Sequence, residues 1–267
     1  MGKFLLIGSD GYLGSSFKKY LKRKNIVVYE YKYKNFYSNK SLEDFKGKIN
    51  TIVHFAISGS LDKKKNFNND INFAKKLFQF SKINNIRSYY ISSISAFENN
   101  KSFYSKLKIK IEKQAVKYNV KIIKPGMIWH NKPKSWFGNV NFIVSLCYIL
   151  MPLIGRGNHH IYMLHLNDFL EALYNICKIK KINKFTIFNK ETISFKDLIK
   201  KICIKKNKFY FFVPIPIIII YPIFKFLYLA KILSCDTYDS IQSYRFAKKH
   251  NFLGYKIINT SKSFKNY

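Results

Sequence analysis

Residues 3–14, with the sequence KFLLIGSDGYLG, decide the fold of this chain. They begin with a short apolar run typical of a buried strand, and Gly8, Gly11 and Gly14 follow with GxxGxxG spacing. A helix is predicted directly afterwards, over residues 15–24. In a strand, loop and helix of this kind, the backbone N–H groups of the loop and the positive end of the helix face a phosphate. The stretch therefore predicts a phosphate-binding loop.

Strands and helices alternate after this loop. Apolar runs predict further strands. Apolar residues at helical spacing, after a cap at Asn69 or Asp70, predict the helix over residues 71–82. The predicted strands are residues 26–31, 51–56, 87–92 and 120–123, and the predicted helices are residues 71–82 and 103–118. Residues 32–50 leave room for a minimal further strand and a helical turn near residues 41–45. This order predicts an α/β fold, a Rossmann-type doubly wound parallel sheet.

The alternation stops after Gly126 and resumes after His160, which predicts an inserted segment. We therefore expect a Rossmann domain from residues 1–130 and 161–190, and a small C-terminal substrate lobe from residues 131–160 and 191–267. In the lobe, Ser194 with Asp197 three residues on predicts the start of a helix.

Residues 209–233 of the lobe are strongly apolar and could be mistaken for a membrane span. Pro214, Pro216 and Pro222 argue against a spanning helix, because each one disrupts helical hydrogen bonding. We expect a buried or interfacial lobe. The alternative is a peripheral contact in which this segment lies on the membrane surface.

The formal net charge of +34 would by itself suggest nucleic acid or an anionic membrane as a partner. Only four of the 48 basic residues are arginines, whereas nucleic-acid recognition favours arginine. We therefore expect a solvated lysine coat and no nucleic-acid partner. The four cysteines have no metal-ligand spacing, so we expect no metal site and a reduced, cytoplasmic location. Because the first strand begins at Lys3, no signal peptide is expected.

Two further features carry chemistry. Tyr104 and Lys108 form a YxxxK pair on one predicted helix, where an ammonium near a phenol favours the phenolate and makes tyrosine a usable acid or base. Ser92 and Ser93 end the preceding strand, where a hydroxyl would point into the crevice beyond the sheet. By chance alone, each feature also occurs on ordinary helix faces and strand ends.

The order of these features resembles the extended short-chain dehydrogenase/reductase family, the NAD-dependent epimerase/dehydratase group. The resemblance covers most of the chain and rests on GSDGYLG, TIVHFA, ISSISAF, YSKLK, IIKPGMIW, LHLNDFLEAL and FTIFN. It implies that Tyr104 is the general acid/base, that Lys108 lowers its pKa and holds the nicotinamide ribose, and that Ser93 binds the reacting oxygen. Ser95 is the competing serine. The residues implied to bind the cofactor are Gly8, Asp10, Gly11, Tyr12, Leu13, Gly14, Lys32, Tyr104, Lys108 and Pro125.

The resemblance leaves the cofactor open between NAD and NADP. An acid at the end of the second strand binds the ribose of NAD, and a base there accommodates the 2′-phosphate of NADP. Glu30 favours NAD, whereas gap-free matching places Lys32 at the tip, so we lean slightly to NADP. His54, beside the cofactor by the same match, is interpreted as a packed strand-end residue.

The implied function is a nucleotide-sugar 4-epimerase or 4-ketoreductase of surface polysaccharide synthesis. Two departures bear on it: Lys124 replaces the family's usual Arg, and Ile94-Ser95 replaces the acidic pair of the dehydratases, which argues against dehydration. A lipid-linked sugar is an alternative substrate, and a homodimer is an open alternative to a monomer. A second function class is a non-catalytic member that binds NAD(P) and serves as an assembly or binding subunit.

Overall fold

The computed structural model describes residues 2–31, 41–55, 64–98, 100, 102–132, 135–179, 181–230, 252, 254–262 and 264. Its elements, in chain order, are β1 (Lys3–Ile7), α1 (Tyr12–Arg23), β2 (Val27–Tyr31), a 3-10 turn (Glu43–Phe45), β3 (Thr51–His54), α2 (Lys64–Ile83), β4 (Arg87–Ile91), α3 (Phe103–Lys117), β5 (Lys121–Pro125), β6 (Met127–Trp129), α4 (Ser135–Leu146), β7 (Leu150–Ile154), β8 (His160–Ile161), β9 (Met163–His165), α5 (Leu166–Ile176), β10 (Lys184–Asn189), β11 (Ile193–Ser194), α6 (Phe195–Lys205), β12 (Phe211–Ile215), α7 (Ile217–Leu229) and β13 (Lys256–Thr260).

The central sheet has, among the described residues, seven strands in the order β13-β10-β5-β4-β3-β1-β2. Every pairing in it is parallel. The chain leaves β1 to one side for β2 and then crosses to the other side for β3, so the direction of winding reverses at β1. Ligands of doubly wound sheets bind at this kind of reversal, beyond the carboxyl ends of the strands. The predicted α/β Rossmann-type sheet is therefore confirmed.

Helices cover both faces of the sheet, and its inner strands β1, β3 and β4 are therefore buried on both sides. Along β1, Leu5 and Ile7 pack with the core that includes residues of α2 and α3. Phe4 and Leu6 pack with the opposite core, to which α1 and α5 contribute. This alternation with period two is the expected consequence of strand geometry, and it fixes which face each helix occupies.

A third core, which we call the lobe core, includes Trp129, Phe137, Met151, Leu198 and Phe264, and of these Trp129 lies outside the predicted lobe. Short strand pairs frame it: β6 with β9, β8 with β11, and β7 with β12. Its helix α6 begins where the sequence predicts, since Ser194 Oγ accepts a hydrogen bond from the backbone N–H of Asp197 at 3.0 Å.

The position of β13 corrects the predicted division of the chain. The predicted lobe includes all of residues 191–267, but Lys256–Thr260 pairs with β10 and extends the central sheet. The pattern of single residues does not reveal this pairing, because it joins segments that are far apart in sequence. The rest of the domain division stays a prediction.

Helix α2 begins at Lys64, so the predicted start after Asn69 or Asp70 is wrong. Asn and Asp favour helix caps, but here they lie inside the helix. Phe67 and Ile71 pack against the same core as Ala74, which continues the helical spacing backwards through the polar residues. Tertiary packing therefore overrides the local capping preference.

Helix α7 accommodates Pro222 in its interior, although this proline is predicted to disrupt helical hydrogen bonding. No helix within the described ranges is long and apolar enough to cross a bilayer. The apolar segment of residues 209–233 is less buried than expected, because its side chains Phe209, Phe211, Ile218 and Phe226 are all exposed. Residues 231–233 of the apolar segment lie outside the described residues.

Candidate active site

The glycine loop turns tightly between β1 and α1. Gly8 has a φ of +79°, a conformation that favours glycine, and its carbonyl accepts a hydrogen bond from the Gly11 N–H at 3.2 Å. A Cβ on Gly14 would lie 2.1 Å from that same carbonyl oxygen. The first and third glycines of the motif are therefore needed for the turn and for the close packing of helix on strand.

The first turn of α1 suits an anion. Gly11 is the N-cap and offers no side chain to the free end of the helix, and the first turn contains no acidic residue. The loop side chain of Asp10 is exposed, while Tyr12 is half-buried and its pKa is raised by burial. An uncapped N-terminus beside a glycine turn fits the pyrophosphate of a dinucleotide.

Glu30, one of the two candidates for the cofactor ribose, already has partners near the loop. Ser9 Oγ donates to its carboxylate at 2.8 Å, and Lys18 Nζ lies 3.1 Å from it. Glu30 thus ties β2 to the loop and to α1. Lys32, the competing candidate, lies outside the described residues.

Tyr104 and Ser93 meet at the carboxyl edge of the sheet. Their side chains are hydrogen-bonded, and Ser93 Oγ lies 2.8 Å from Ser95 Oγ. Burial raises the pKa of Tyr104 to about 12, and the hydrogen bond with Ser93 acts in the opposite direction. Ser102 caps α3 by accepting from the Ser105 N–H at 3.1 Å, which places Tyr104 in the first turn. Of the two predicted serine candidates, Ser93 therefore lies at the phenol, and Ser95 is bonded to Ser93.

Lys108 lies one helical turn beyond Tyr104 and is 3% exposed. Its ammonium donates to the Ile91 carbonyl at 2.7 Å and lies 5.6 Å from the centroid of the Tyr104 ring. Burial lowers the pKa of Lys108 to about 8, against the opposing effect of Glu112 and Asp70. At neutral pH the ammonium form predominates, so a positive charge is held beneath the phenol.

Behind this site lies a buried network that the sequence pattern did not predict. Glu112 ion-pairs with Lys124 at 3.1 Å and accepts a hydrogen bond from Ser92 Oγ, while Lys124 donates to the Ala96 carbonyl at 2.7 Å. The network holds both ends of the serine segment. The spacing in the sequence could have indicated part of this network, because Glu112 follows Lys108 by four residues and therefore lies on the same face of the helix.

Two other candidate residues, His54 and Pro125, are buried at the ends of strands. His54 at the end of β3 is 1% exposed among aromatic rings, and burial lowers its pKa to about 3. This agrees with its interpretation as a packed residue. Pro125 ends β5 and is buried. In the part of the chain that the structure describes, no group of His, Cys, Asp and Glu could hold a metal ion.

Solved structures share this architecture. A dTDP-4-dehydrorhamnose reductase from Bacillus anthracis, in complex with NADP, aligns over 81% of this chain and 85% of its own, with a TM-score of 0.66 and 12% identity. A dTDP-glucose 4,6-dehydratase from the same organism, in complex with NAD, aligns over 80% and 84%, with a TM-score of 0.66 and 15% identity. A UDP-N-acetylglucosamine 4-epimerase from Bacillus cereus aligns over 80% and 86%, with a TM-score of 0.64 and 18% identity. The chain has the fold of the extended short-chain dehydrogenases/reductases.

No protein-family model matches the chain, and no curated protein matches it. The likeness to short-chain dehydrogenases/reductases is therefore a likeness of fold. Within that fold, the glycine loop follows β1, Ser93 follows β4, and Tyr104 lies in the first turn of α3. All three lie at the carboxyl edge of the parallel sheet.

Proposed function

We propose that this chain is an NAD(P)-dependent oxidoreductase of nucleotide sugars, either a 4-epimerase or a 4-ketoreductase. The observation that carries the proposal is the hydrogen-bonded pair of Ser93 and Tyr104, with Lys108 one turn on, at the same sheet edge as the glycine loop. The three solved structures described above support it, because their names are those of a sugar-nucleotide reductase, dehydratase and epimerase.

The residues have distinct roles in this proposal. The Gly8 turn and the N-terminus of α1 would hold the pyrophosphate, and the nicotinamide, when bound, would supply or accept the hydride. Tyr104, with its pKa raised to about 12, is protonated at neutral pH and can donate that proton to the oxygen of a sugar ketone as it is reduced. Ser93 orients the same oxygen. Loss of this proton leaves a phenolate, which is also the base that takes the proton when a sugar alcohol is oxidised, and the Lys108 ammonium favours it in both directions.

The proposed cofactor is NADP in preference to NAD. Glu30 would bind the ribose hydroxyls of NAD, but its carboxylate is held by Ser9 and Lys18. This leaves Lys32 as the candidate for the end of β2, and a base there suits a 2′-phosphate. Titration of the purified protein with NADH and with NADPH tests this point, and a clear preference for NADH would contradict it.

Tyr104→Phe is the decisive variant. It removes the proton-transferring hydroxyl and keeps the ring, so turnover of nucleotide sugars should fall by about a hundredfold or more while NAD(P) affinity stays within about twofold. Tyr118→Phe is the matched control, because Tyr118 ends the same helix away from the site and should leave both quantities unchanged. A Tyr104→Phe enzyme with full turnover would contradict the assigned role.

The same assay separates the two reactions. An epimerase recycles its nicotinamide, whereas a ketoreductase consumes it, so net loss of NADPH absorbance with a 4-keto nucleotide sugar identifies the reductase. A panel of UDP-, dTDP- and GDP-sugars should include at least one substrate. A protein that binds NAD(P) and turns over no sugar in the panel would instead support the non-catalytic binding subunit.

The biological setting is a finer part of the proposal. We place the enzyme in the cytoplasm and in surface polysaccharide synthesis, and a strain without it should lack one sugar in its surface glycan. A lipid-linked sugar is a second candidate substrate, favoured by the exposed apolar side chains of β12 and α7. Sedimentation velocity tests the homodimer that the sequence leaves open.

A further inference from the structure

The β7–β12 pair presents an apolar face to solvent. The two strands are parallel, and Leu150 pairs with Phe211 as Pro152 pairs with Val213. All four side chains are exposed, whereas Met151 and Leu153, which alternate with them on β7, are buried in the lobe core. Because side chains alternate between the faces of a strand, the exposed set shares one side.

Lys208 joins this face to the end of α4. Its ammonium donates to the carbonyls of Val144, Ser145 and Cys147 and so ends α4 beside the segment that leads into β12. Tyr148 and Phe209 come two residues before β7 and β12 respectively, and each side chain is 87% exposed. We define the ribbon face as Leu146, Tyr148, Leu150, Pro152, Phe209, Phe211 and Val213.

The segments that form the ribbon face carry only positive charge. Residues 131–167 and 198–235 contain no Asp or Glu. Lys205 and Lys206, at the end of α6, are exposed within a few residues of Phe209. The ribbon face is thus an apolar surface with lysines at its margin, and the segments that form it contribute no carboxylate. Such a surface complements a layer that is apolar inside and negatively charged at its surface.

These charges favour a lipid surface over a second copy of the chain. Two copies that met through this face would bring lysines against lysines with no carboxylate from either segment to pair with them. An anionic bilayer offers both an apolar interior and negative headgroups. Tyrosine is common at this depth because its ring lies in lipid and its hydroxyl in water, and phenylalanine is common on the apolar face of segments that lie in the interface.

We propose that the ribbon face docks on an anionic membrane surface, with Tyr148, Phe209 and Phe211 inserted at headgroup depth. Lys205 and Lys206 contact the lipid phosphates. The contact is peripheral, in keeping with the absence, in the described ranges, of any helix that could cross a bilayer. Docking does not depend on the proposed reaction, and its test needs no substrate.

The test is co-sedimentation of the full chain with vesicles of phosphatidylglycerol and phosphatidylcholine in equal parts. Phe209→Ser with Phe211→Ser should lower the partition coefficient by about tenfold or more, because two large apolar groups leave the lipid. Lys205→Gln with Lys206→Gln should lower it by about tenfold and weaken its dependence on salt. The matched control, Ile83→Ser with Val116→Ser, changes exposed apolar residues of α2 and α3 and should have no effect.

A second measurement does not depend on loss of binding. Phe209→Trp should bind as the parent does, and its fluorescence should shift to the blue and be quenched by brominated lipid. Equal binding to pure phosphatidylcholine, full binding by the double Ser variant, or an unshifted tryptophan would each overturn the proposal. Self-association that the double Ser variant abolishes would assign the face to a second copy instead.

Discussion

Replacing Lys124 by Met tests whether the buried network holds the site together. The change keeps the aliphatic stem and removes the ammonium that ion-pairs with Glu112 at 3.1 Å and donates to Ala96 at 2.7 Å. Side chains of this pair are only 12% and 13% exposed, so Glu112 would be left as a buried, largely uncompensated charge. We expect the free energy of unfolding to fall by about 3 kcal/mol.

Lys18→Met is the matched comparison. Its ion pair with Glu30 has the same length of 3.1 Å, but the side chains are 24% and 28% exposed. Water screens this pair, so the loss should be about 1 kcal/mol or less. Urea denaturation followed by circular dichroism gives both values. Equal losses for Lys124→Met and Lys18→Met would refute the reasoning that burial, and not distance, sets the cost.

Further predictions concern the loop and two buried titrating groups. Gly14→Ala places a Cβ 2.1 Å from the Gly8 carbonyl and should abolish NAD(P) binding and destabilise the fold, whereas Gly11→Ala, with 3.5 Å, should cost less than about 1 kcal/mol; calorimetry distinguishes them. Lys108 has a pKa of about 8 when folded against 10.5 when unfolded, so the unfolded state binds more protons between these values. Stability relative to Lys108→Met should therefore rise with pH across that window, and a flat difference would argue against a buried ammonium. His54 has a pKa of about 3 when folded against 6.5, so its contribution should disappear as the pH falls from 6.5 to 3, and His54→Phe should remove that part of the acid sensitivity in urea titrations.

The sequence predicted the parts of the fold that depend on local pattern. The glycine spacing, the apolar strands and the Ser194 cap are each set by residues close together, and the structure has them where expected. The contact between Ser93 and Tyr104 also followed from order alone, because a strand end and the next helix must meet at one sheet edge.

Features that depend on distant residues could not be predicted in this way. The start of α2 at Lys64 is set by core packing that overrides two capping residues. Only the folded structure shows that Lys108 donates to Ile91, and that Lys124 reaches Glu112 from another element. A sequence pattern gives the periodicity of each element and not the direction in which a long side chain extends.

The place of β13 has a consequence for how the protein folds during synthesis. Its partner β10 is made long before residues 256–260, with α6, β12 and α7 in between. Throughout that interval β10 is an edge strand with unpaired backbone groups, in a chain whose N-terminal part can already be folded. We expect a chain truncated before residue 256 to keep its glycine loop and to aggregate through the uncovered edge of β10.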